Sequence, residues 1–234
     1  MTYVLFVLFG FVPSLVWLAF YLRKDAHPEP NHVIRKVFFF GMLATLPAIA
    51  LELILRSAFS LLPFPPEVVL ILYIFLGVAL VEELLKFLVV RFAVYSDKAL
   101  DEPLDVMLYM VIAALGFAAF ENILILFGLG PASPVSNILA LTLVRLLGAT
   151  FLHALASGTF GYFMARSFFD PARKFWYLAS GLFLATLLHG FFNFYILKVD
   201  GIQKLLVPAL ILLGLAIFVS LGFKQLTKIL KLRR

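Results

Sequence analysis

The segment Val68–Val90, VVLILYIFLGVALVEELLKFLVV, is apolar except for Glu82, Glu83 and Lys86. Its length matches the roughly 20 residues that a helix needs to cross the hydrocarbon core of a bilayer. An ionisable side chain at the bilayer centre costs about 2.5–3.5 kcal/mol on insertion scales. Three such residues close together therefore indicate chemistry or transport inside a membrane.

The composition of the whole chain supports a membrane location. Hydrophobic residues make up 64% and charged residues 14%, and the mean hydropathy is +1.08, which exceeds that of ordinary soluble domains. The absence of cysteine excludes disulfides, thiolate metal ligands and cysteine nucleophiles. The net charge of +6 comes from basic residues between apolar runs and at the C-terminus, which indicates membrane topology and not nucleic-acid binding.

Apolar runs of about 20 residues predict about seven membrane spans. These are Tyr3–Leu22, Val33–Leu55, Glu67–Val90, Leu104–Gly128, Ser136–Ala165, Phe175–Leu197 and Leu205–Leu226. The fifth run would be about 45 Å long as one helix, so we expect it to be tilted or broken. A broken run would add an eighth short element. The predicted fold is an all-α, polytopic transmembrane helical bundle.

The distribution of Lys and Arg predicts the orientation of the bundle. Of the 19 basic residues, fourteen lie on one side, three on the other and two inside spans. Cytoplasmic loops carry an excess of Lys and Arg, so we expect the N-terminus outside and the C-terminus in the cytoplasm. Met1–Leu22 has no basic n-region and is followed by Arg23 and Lys24, which indicates a retained anchor and not a cleaved signal peptide.

Further polar residues fall inside the predicted spans: Glu52, Glu121, Asn122, Arg145, His153, His189 and Asn193. Glu82 and Lys86 are four residues apart and share a helix face, while Glu83 lies about 100° from Glu82. His189 and Asn193 are also four apart. Counted from the cytoplasmic end of each span at about 1.5 Å per residue, Glu83 lies about 12 Å deep and Glu121 about 25 Å deep. Tilted or broken helices must therefore bring these residues together.

Each polar residue also has a structural explanation. Lys86 could form a buried ion pair with one glutamate, but two carboxylates against one ammonium leave a surplus acid. His153 and His189, taken singly, are typical of residues hydrogen-bonded between helices. Glu52 lies one turn from Arg56, and we assign both Glu52 and Arg145 to the outer interface and leave them outside the site.

Several motifs together resemble one protein family. Glu82-Glu83-Leu84-Leu85-Lys86 resembles its EExxK motif, Phe117–Asn122 its FxxxEN motif, and His153 and His189 its two membrane-embedded histidines. Asp25–Pro30 and Asp101–Asp105 resemble its flanking segments, and His189–Asn193 resembles an HxxxN motif. The family is the PrsW family of intramembrane proteases, related to the CAAX prenyl endopeptidases and the bacterial Abi proteins.

The resemblance covers roughly residues 21–193 and implies a specific function. It implies a polytopic protease, and we expect residues 1–234 to form a single transmembrane protease domain in a bacterial or archaeal cell membrane. The implied substrate is a membrane-anchored regulator, typically an anti-sigma factor, cut near the extracytoplasmic side. The wider superfamily usually has His in the second motif, where this chain has Glu121.

The residue types fit peptide hydrolysis. Hydrolysis inside a membrane needs a base for water, donors for the developing oxyanion and an acid for the leaving amine. Two neighbouring carboxylates resist ionising together, so one can act as base and the other as partner. We expect the catalytic set Glu82, Glu83, Glu121, His153, His189 and Asn193, supported by Lys86 and Asn122. By analogy with the superfamily, Glu82 is the first choice for the base.

The sequence leaves a metal-dependent mechanism open. His153, His189 and either Glu83 or Glu121 would form a two-histidine, one-carboxylate site that suits zinc. No HExxH pair exists in the chain, and the ligands would come from separate helices, so metal-free glutamate chemistry is preferred. The sequence therefore assigns no cofactor and leaves zinc as the alternative.

Two other functions compete with proteolysis. Buried Glu, His and Lys also build the proton relays of transporters, although the repeats typical of transporters are not evident. A catalytically silent membrane scaffold of the same fold is the other alternative. The sequence does not determine the substrate's identity or the oligomeric state.

Overall fold

The computed structural model describes residues 2–24, 27–95 and 97–233, and this part of the chain contains helices without strands. Asp25 and Ala26, the start of the segment resembling a family loop, lie outside it. The helices are α1 Thr2–Leu22, α2 Asn31–Ser60, α3 Pro66–Leu72, α4 Leu80–Ala93, α5 Pro103–Gly128, α6 Val135–Leu147, α7 Ala149–Phe169, α8 Lys174–Lys198 and α9 Gln203–Arg233. A π-helix, Tyr73–Ala79, joins α3 to α4, and a 3₁₀ turn, Pro171–Arg173, precedes α8.

The predicted spans agree with the observed helices. Within the described ranges, seven helical segments are long and apolar enough to cross a membrane. They are Tyr3–Leu22, Asn31–Ser60, Pro66–Ala93, Pro103–Gly128, Val135–Phe169, Pro171–Lys198 and Gln203–Leu230. The predicted all-α bundle of seven spans is confirmed.

Helix α5 is the centre of the bundle. It packs against α1, α2, α4 and α7, and 72% of its most apolar window is buried, against 22% for α1 and α9. Small residues allow this close packing. A Cβ atom at Gly116 would overlap the carbonyl oxygen of Phe38, and one at Gly41 would overlap that of Ala113. The backbones of α2 and α5 therefore touch where they cross.

The fifth span is broken, which is one of the two alternatives, tilted or broken, that its length predicted. Helix α6 ends at Leu147 and α7 begins at Ala149, while Gly148 between them has a non-helical ψ of −99°. The indole Nε1 of Trp17 donates a hydrogen bond to the Leu146 carbonyl oxygen at 2.7 Å. This bond satisfies a carbonyl group in the last turn of α6, where carbonyl groups lack an intrahelical hydrogen-bond donor.

The third span contains a π-helix that the sequence did not predict. The π-helix ends at Ala79, one turn before Glu82, and packs against α8. A Cβ atom at Gly190 of α8 would overlap the ring of Phe75, so a glycine is needed at this contact. Short π-helices are frequent at functional sites, because the extra residue in the turn changes the direction of the side chains that follow.

Candidate active site

The site begins with a buried ion cluster on α4. The Lys86 side chain is 0% exposed, and its Nζ lies 2.8 Å from Glu83 Oε1 and 3.2 Å from Glu82 Oε2. The ammonium also lies 4.7 Å from the centre of the Phe117 ring. Because Glu82 and Glu83 lie four and three residues before Lys86, one helical turn brings both carboxylates to the same ammonium.

Glu83 is held by donors from three helices. Its Oε1 accepts hydrogen bonds from Lys86 Nζ and from His189 Nδ1 of α8, the latter at 3.0 Å. Its Oε2 accepts a hydrogen bond from Ser157 Oγ of α7 at 2.6 Å. Ser157 was missing from the predicted site, although it follows His153 by four residues on the same helix face. With His189 Nδ1 donating to Glu83, Nε2 of His189 points towards Glu82 Oε2 at 3.9 Å.

His153 lies between Lys86 and Glu121. Its Nδ1 is 2.8 Å from Lys86 Nζ, and its Nε2 is 2.9 Å from Glu121 Oε2. An ammonium can only donate and a carboxylate only accept, so Nδ1 carries the lone pair and Nε2 the proton. The rings of His153 and His189 meet edge to face with centroids 5.1 Å apart. The two histidines thus use opposite ring nitrogens to bind their carboxylates.

Arg145 belongs to this network, contrary to its assignment from sequence. Its Nη2 lies 2.8 Å from Glu121 Oε2, and its Nε donates to Asn122 Oδ1. Asn122 Nδ2 in turn donates to Thr150 Oγ1 at 3.0 Å and to the Gly10 carbonyl oxygen at 3.3 Å. The interface assignment of Arg145 was wrong because it considered depth alone. An arginine inside a span usually has a carboxylate partner, which is the signal that could have identified it.

Three donor groups lie close enough together to hold one metal ion. One ligand atom each from Glu82, His153 and His189 all lie within 4.8 Å of one another, and all three residues are buried. From the sequence, Glu83 or Glu121 was the expected carboxylate ligand. In the structure Glu121 binds Nε2 of His153, and Glu83 binds Nδ1 of His189. The third glutamate, Glu82, lies beside the other nitrogen of each ring. Helical spacing places Glu82 and Glu83 about 100° apart but cannot say which one faces other helices.

Asn193 does not join the hydrogen-bonded cluster. It lies one turn beyond His189 on α8, partly exposed, and its amide binds no group in the part of the chain that the structure describes. Of the acidic members of the cluster, Glu121 is the most exposed, with 29% of its side chain accessible against 7% for Glu82. The cluster therefore reaches the surface beside Glu121.

The formal charges of the cluster do not balance. Glu82, Glu83 and Glu121 carry three negative charges when ionised, and Lys86 and Arg145 carry two positive charges. A buried surplus of negative charge is unfavourable without a further cation or proton. One further proton or a bound cation would offset this surplus, and Glu82, His153 and His189 are the residues that could hold a cation.

Comparisons with known proteins agree with this chemistry. Residues 29–222 match the family model described as PrsW family intramembrane metalloprotease. The chain is 31% identical to Protease PrsW of Geobacillus kaustophilus over 189 residues, covering 80% of this chain and 78% of the relative. It is 28% identical to Protease PrsW of Bacillus subtilis over 213 residues, covering 87% and 88%. No solved structure matches the chain. With its apolar helical bundle and buried Glu–His cluster, this chain belongs to the PrsW family of intramembrane proteases.

Proposed function

We propose that this chain is an endopeptidase that hydrolyses a peptide bond of a membrane-anchored protein at the Glu82–His153–His189 cluster. The observation that supports this most strongly is the convergence of those three residues from three helices to within 4.8 Å. Hydrolysis in a bilayer needs such a group of polar side chains held away from lipid.

The donor set fits a zinc ion. Catalytic zinc sites commonly have three protein ligands, and two imidazole nitrogens with one carboxylate oxygen is one of the known sets. When bound, zinc polarises the scissile carbonyl and lowers the pKa of water. The Nδ1 lone pair of His153 accepts a hydrogen bond from Lys86 Nζ, so zinc binding would replace that hydrogen bond while Lys86 keeps its contact with Glu83. We therefore propose metal-dependent hydrolysis, in which Glu82 is a ligand and not the free base suggested by its motif.

Glu83 and Glu121 would orient the histidines. Glu83 accepts the Nδ1 proton of His189, and Glu121 accepts the Nε2 proton of His153. A carboxylate on the far nitrogen of a ligating histidine fixes its tautomer and raises its basicity. Lys86 balances the charge of Glu83, and Ser157 holds that carboxylate in place.

Asn193 would act on the substrate. Its amide is partly exposed, one turn from His189, and donates to no described residue. It is therefore available to donate to the carbonyl oxygen that becomes negative in the transition state. Glu121, the most exposed carboxylate of the cluster, lies where water or substrate would approach.

The remaining proposals concern the substrate and the membrane. We propose a membrane-anchored regulator such as an anti-sigma factor as substrate, a bacterial cell membrane as location, and an N-terminus outside. The support comes from the ordered motifs, the bacterial relatives and the distribution of basic residues. The same motifs support kinship with the CAAX prenyl endopeptidases and Abi proteins.

Proteolysis of a single-span reporter in liposomes tests this function. We expect wild type to cleave the reporter, a zinc chelator to stop cleavage, and Glu82→Gln to be inactive. Glu67→Gln, the same substitution in the first turn of α3, is the matched control and should remain active. Equal cleavage by wild type and Glu82→Gln would refute the site. Cleavage that resists the chelator would favour the metal-free mechanism, and proton flux without cleavage would favour a transporter.

A further inference from the structure

The first half of the broken fifth span contributes one charged side chain to the cluster. We propose that Arg145 is a positioning residue that fixes the tautomer and direction of the His153 ring through Glu121. This inference rests on the proposed function of His153 as a metal ligand. Among the described residues, the polar partners of Arg145 are Glu121 and Asn122, and it makes no hydrogen bond or ion pair with Glu82, His153 or His189.

One carboxylate oxygen links Arg145 to His153. Glu121 Oε2 lies 2.8 Å from Arg145 Nη2 and 2.9 Å from His153 Nε2. Because this carboxylate oxygen accepts from the guanidinium, it also accepts from His153, which places the imidazole proton on Nε2. The Nδ1 lone pair of His153 then lies 2.8 Å from Lys86 Nζ and 3.5 Å from Glu82 Oε2, and Glu82 is the neighbour with which it would share a metal.

The guanidinium is fixed from a second side. Its Nε donates to Asn122 Oδ1, and the Asn122 amide is held by Thr150 and by the backbone of Gly10. Glu121 and Asn122 are consecutive residues, so one guanidinium with several donors in a rigid plane binds both. A lysine at position 145 would keep the charge but would present a single ammonium to two acceptors.

Arg145 and His153 lie on opposite sides of the break at Gly148. Without a link, the end of α6 could shift relative to α7. Trp17 provides one link, because it donates to the Leu146 carbonyl oxygen and stacks on Phe151 with ring centroids 3.9 Å apart. The Arg145–Glu121–His153 chain is the second link, and it transmits the position of α6 to the imidazole.

Removal of Arg145 should release Glu121. The Glu121 side chain is 29% exposed, so without the guanidinium its carboxylate can turn to water and leave His153 Nε2. His153 would then sample both tautomers, and the fraction with an Nδ1 lone pair would fall. Loss of such an outer partner typically costs 10–100-fold in metal affinity or activity.

Nitrogen NMR of histidine-labelled protein tests this directly, because the chain has only four histidines. In chelator-treated wild type we expect the His153 signals of an Nε2–H tautomer, assigned with His153→Gln. Arg145→Gln should show mixed tautomers, with about 10–100-fold weaker zinc binding by chelator competition. Reporter cleavage should show a similar fall in kcat with little change in KM, and Arg145→Lys should recover part of each loss. Arg56→Gln, an arginine near the end of α2, is the matched control and should match wild type.

An unchanged His153 tautomer and unchanged zinc affinity in a folded Arg145→Gln protein would overturn the proposal. Equal loss in Arg145→Gln and Arg56→Gln would also overturn it, because that pattern indicates general instability. Failure of the proposed function gives a different result. In that case wild type would neither bind zinc nor cleave, while the tautomer experiment would still report whether Arg145 orients His153.

Discussion

Replacement of Lys86 with methionine should destabilise the metal-free protein strongly. Lys86→Met keeps most of the side-chain volume but removes the ammonium from a 0% exposed position. The change leaves two carboxylates, 2.8 Å and 3.2 Å from the lost charge, without that partner. Breaking a buried ion pair by removing one partner costs about 3–5 kcal/mol in free energy of unfolding.

Thermal unfolding in one detergent, with and without a chelator, measures this loss. At 2–4 °C per kcal/mol, the expected fall in Tm is roughly 6–20 °C for the chelated protein. Zinc should restore much of the loss, because a dication among Glu82, His153 and His189 supplies the missing positive charge. Lys204→Met, at the start of α9, is the matched control and should change Tm little.

A double variant sharpens the test. Glu83→Gln removes one of the two stranded carboxylates, so Lys86→Met/Glu83→Gln should be more stable than Lys86→Met alone. If chelated Lys86→Met unfolded at the wild-type temperature, the buried ion cluster would not exist as described. If zinc failed to restore the stability of Lys86→Met, the cation site beside Lys86 would be refuted.

Two substitutions test the packing that positions the site. Gly116→Ala should cost about 1–3 kcal/mol in unfolding free energy, because the new Cβ overlaps the Phe38 carbonyl oxygen. Gly214→Ala in α9, where the new Cβ meets no atom within 4 Å apart from its chain neighbours and its own helix backbone, should be neutral or slightly stabilising. Equal effects at both sites would contradict the α2–α5 contact. Trp17→Phe should lower the free energy of unfolding by about 0.5–1.5 kcal/mol, because it loses the hydrogen bond to the Leu146 carbonyl oxygen. An unchanged unfolding free energy would show that this bond does not stabilise the broken span.

The spans could be predicted from the sequence because lipid imposes a simple rule. A helix must stay apolar for about 20 residues, and Pro, Gly or charge marks its ends. The excess length of residues 136–165 also indicated a tilted or broken helix, and the structure has a break at Gly148. The π-helix Tyr73–Ala79 could not be predicted, because its residues have the same apolar character as the α-helix around them.

The members of the site were easier to predict than their roles. Contacts between side chains join the five residues Glu82, Glu83, Glu121, His153 and His189 in one cluster with Lys86. The partner of each carboxylate depends on helix rotation and packing, which spacing along one helix does not give. For that reason we expected Glu83 or Glu121 as the carboxylate ligand of a metal. In the structure Glu82 is the carboxylate that lies with the two histidines.

The zinc content of the purified protein tests the central claim most directly. If Glu82, His153 and His189 hold a catalytic metal, wild type should carry about one zinc per chain. Glu82→Gln should lose that zinc, while Glu67→Gln retains it. Wild type that cleaves its reporter without zinc, or Glu82→Gln that retains full zinc occupancy, would contradict the assignment.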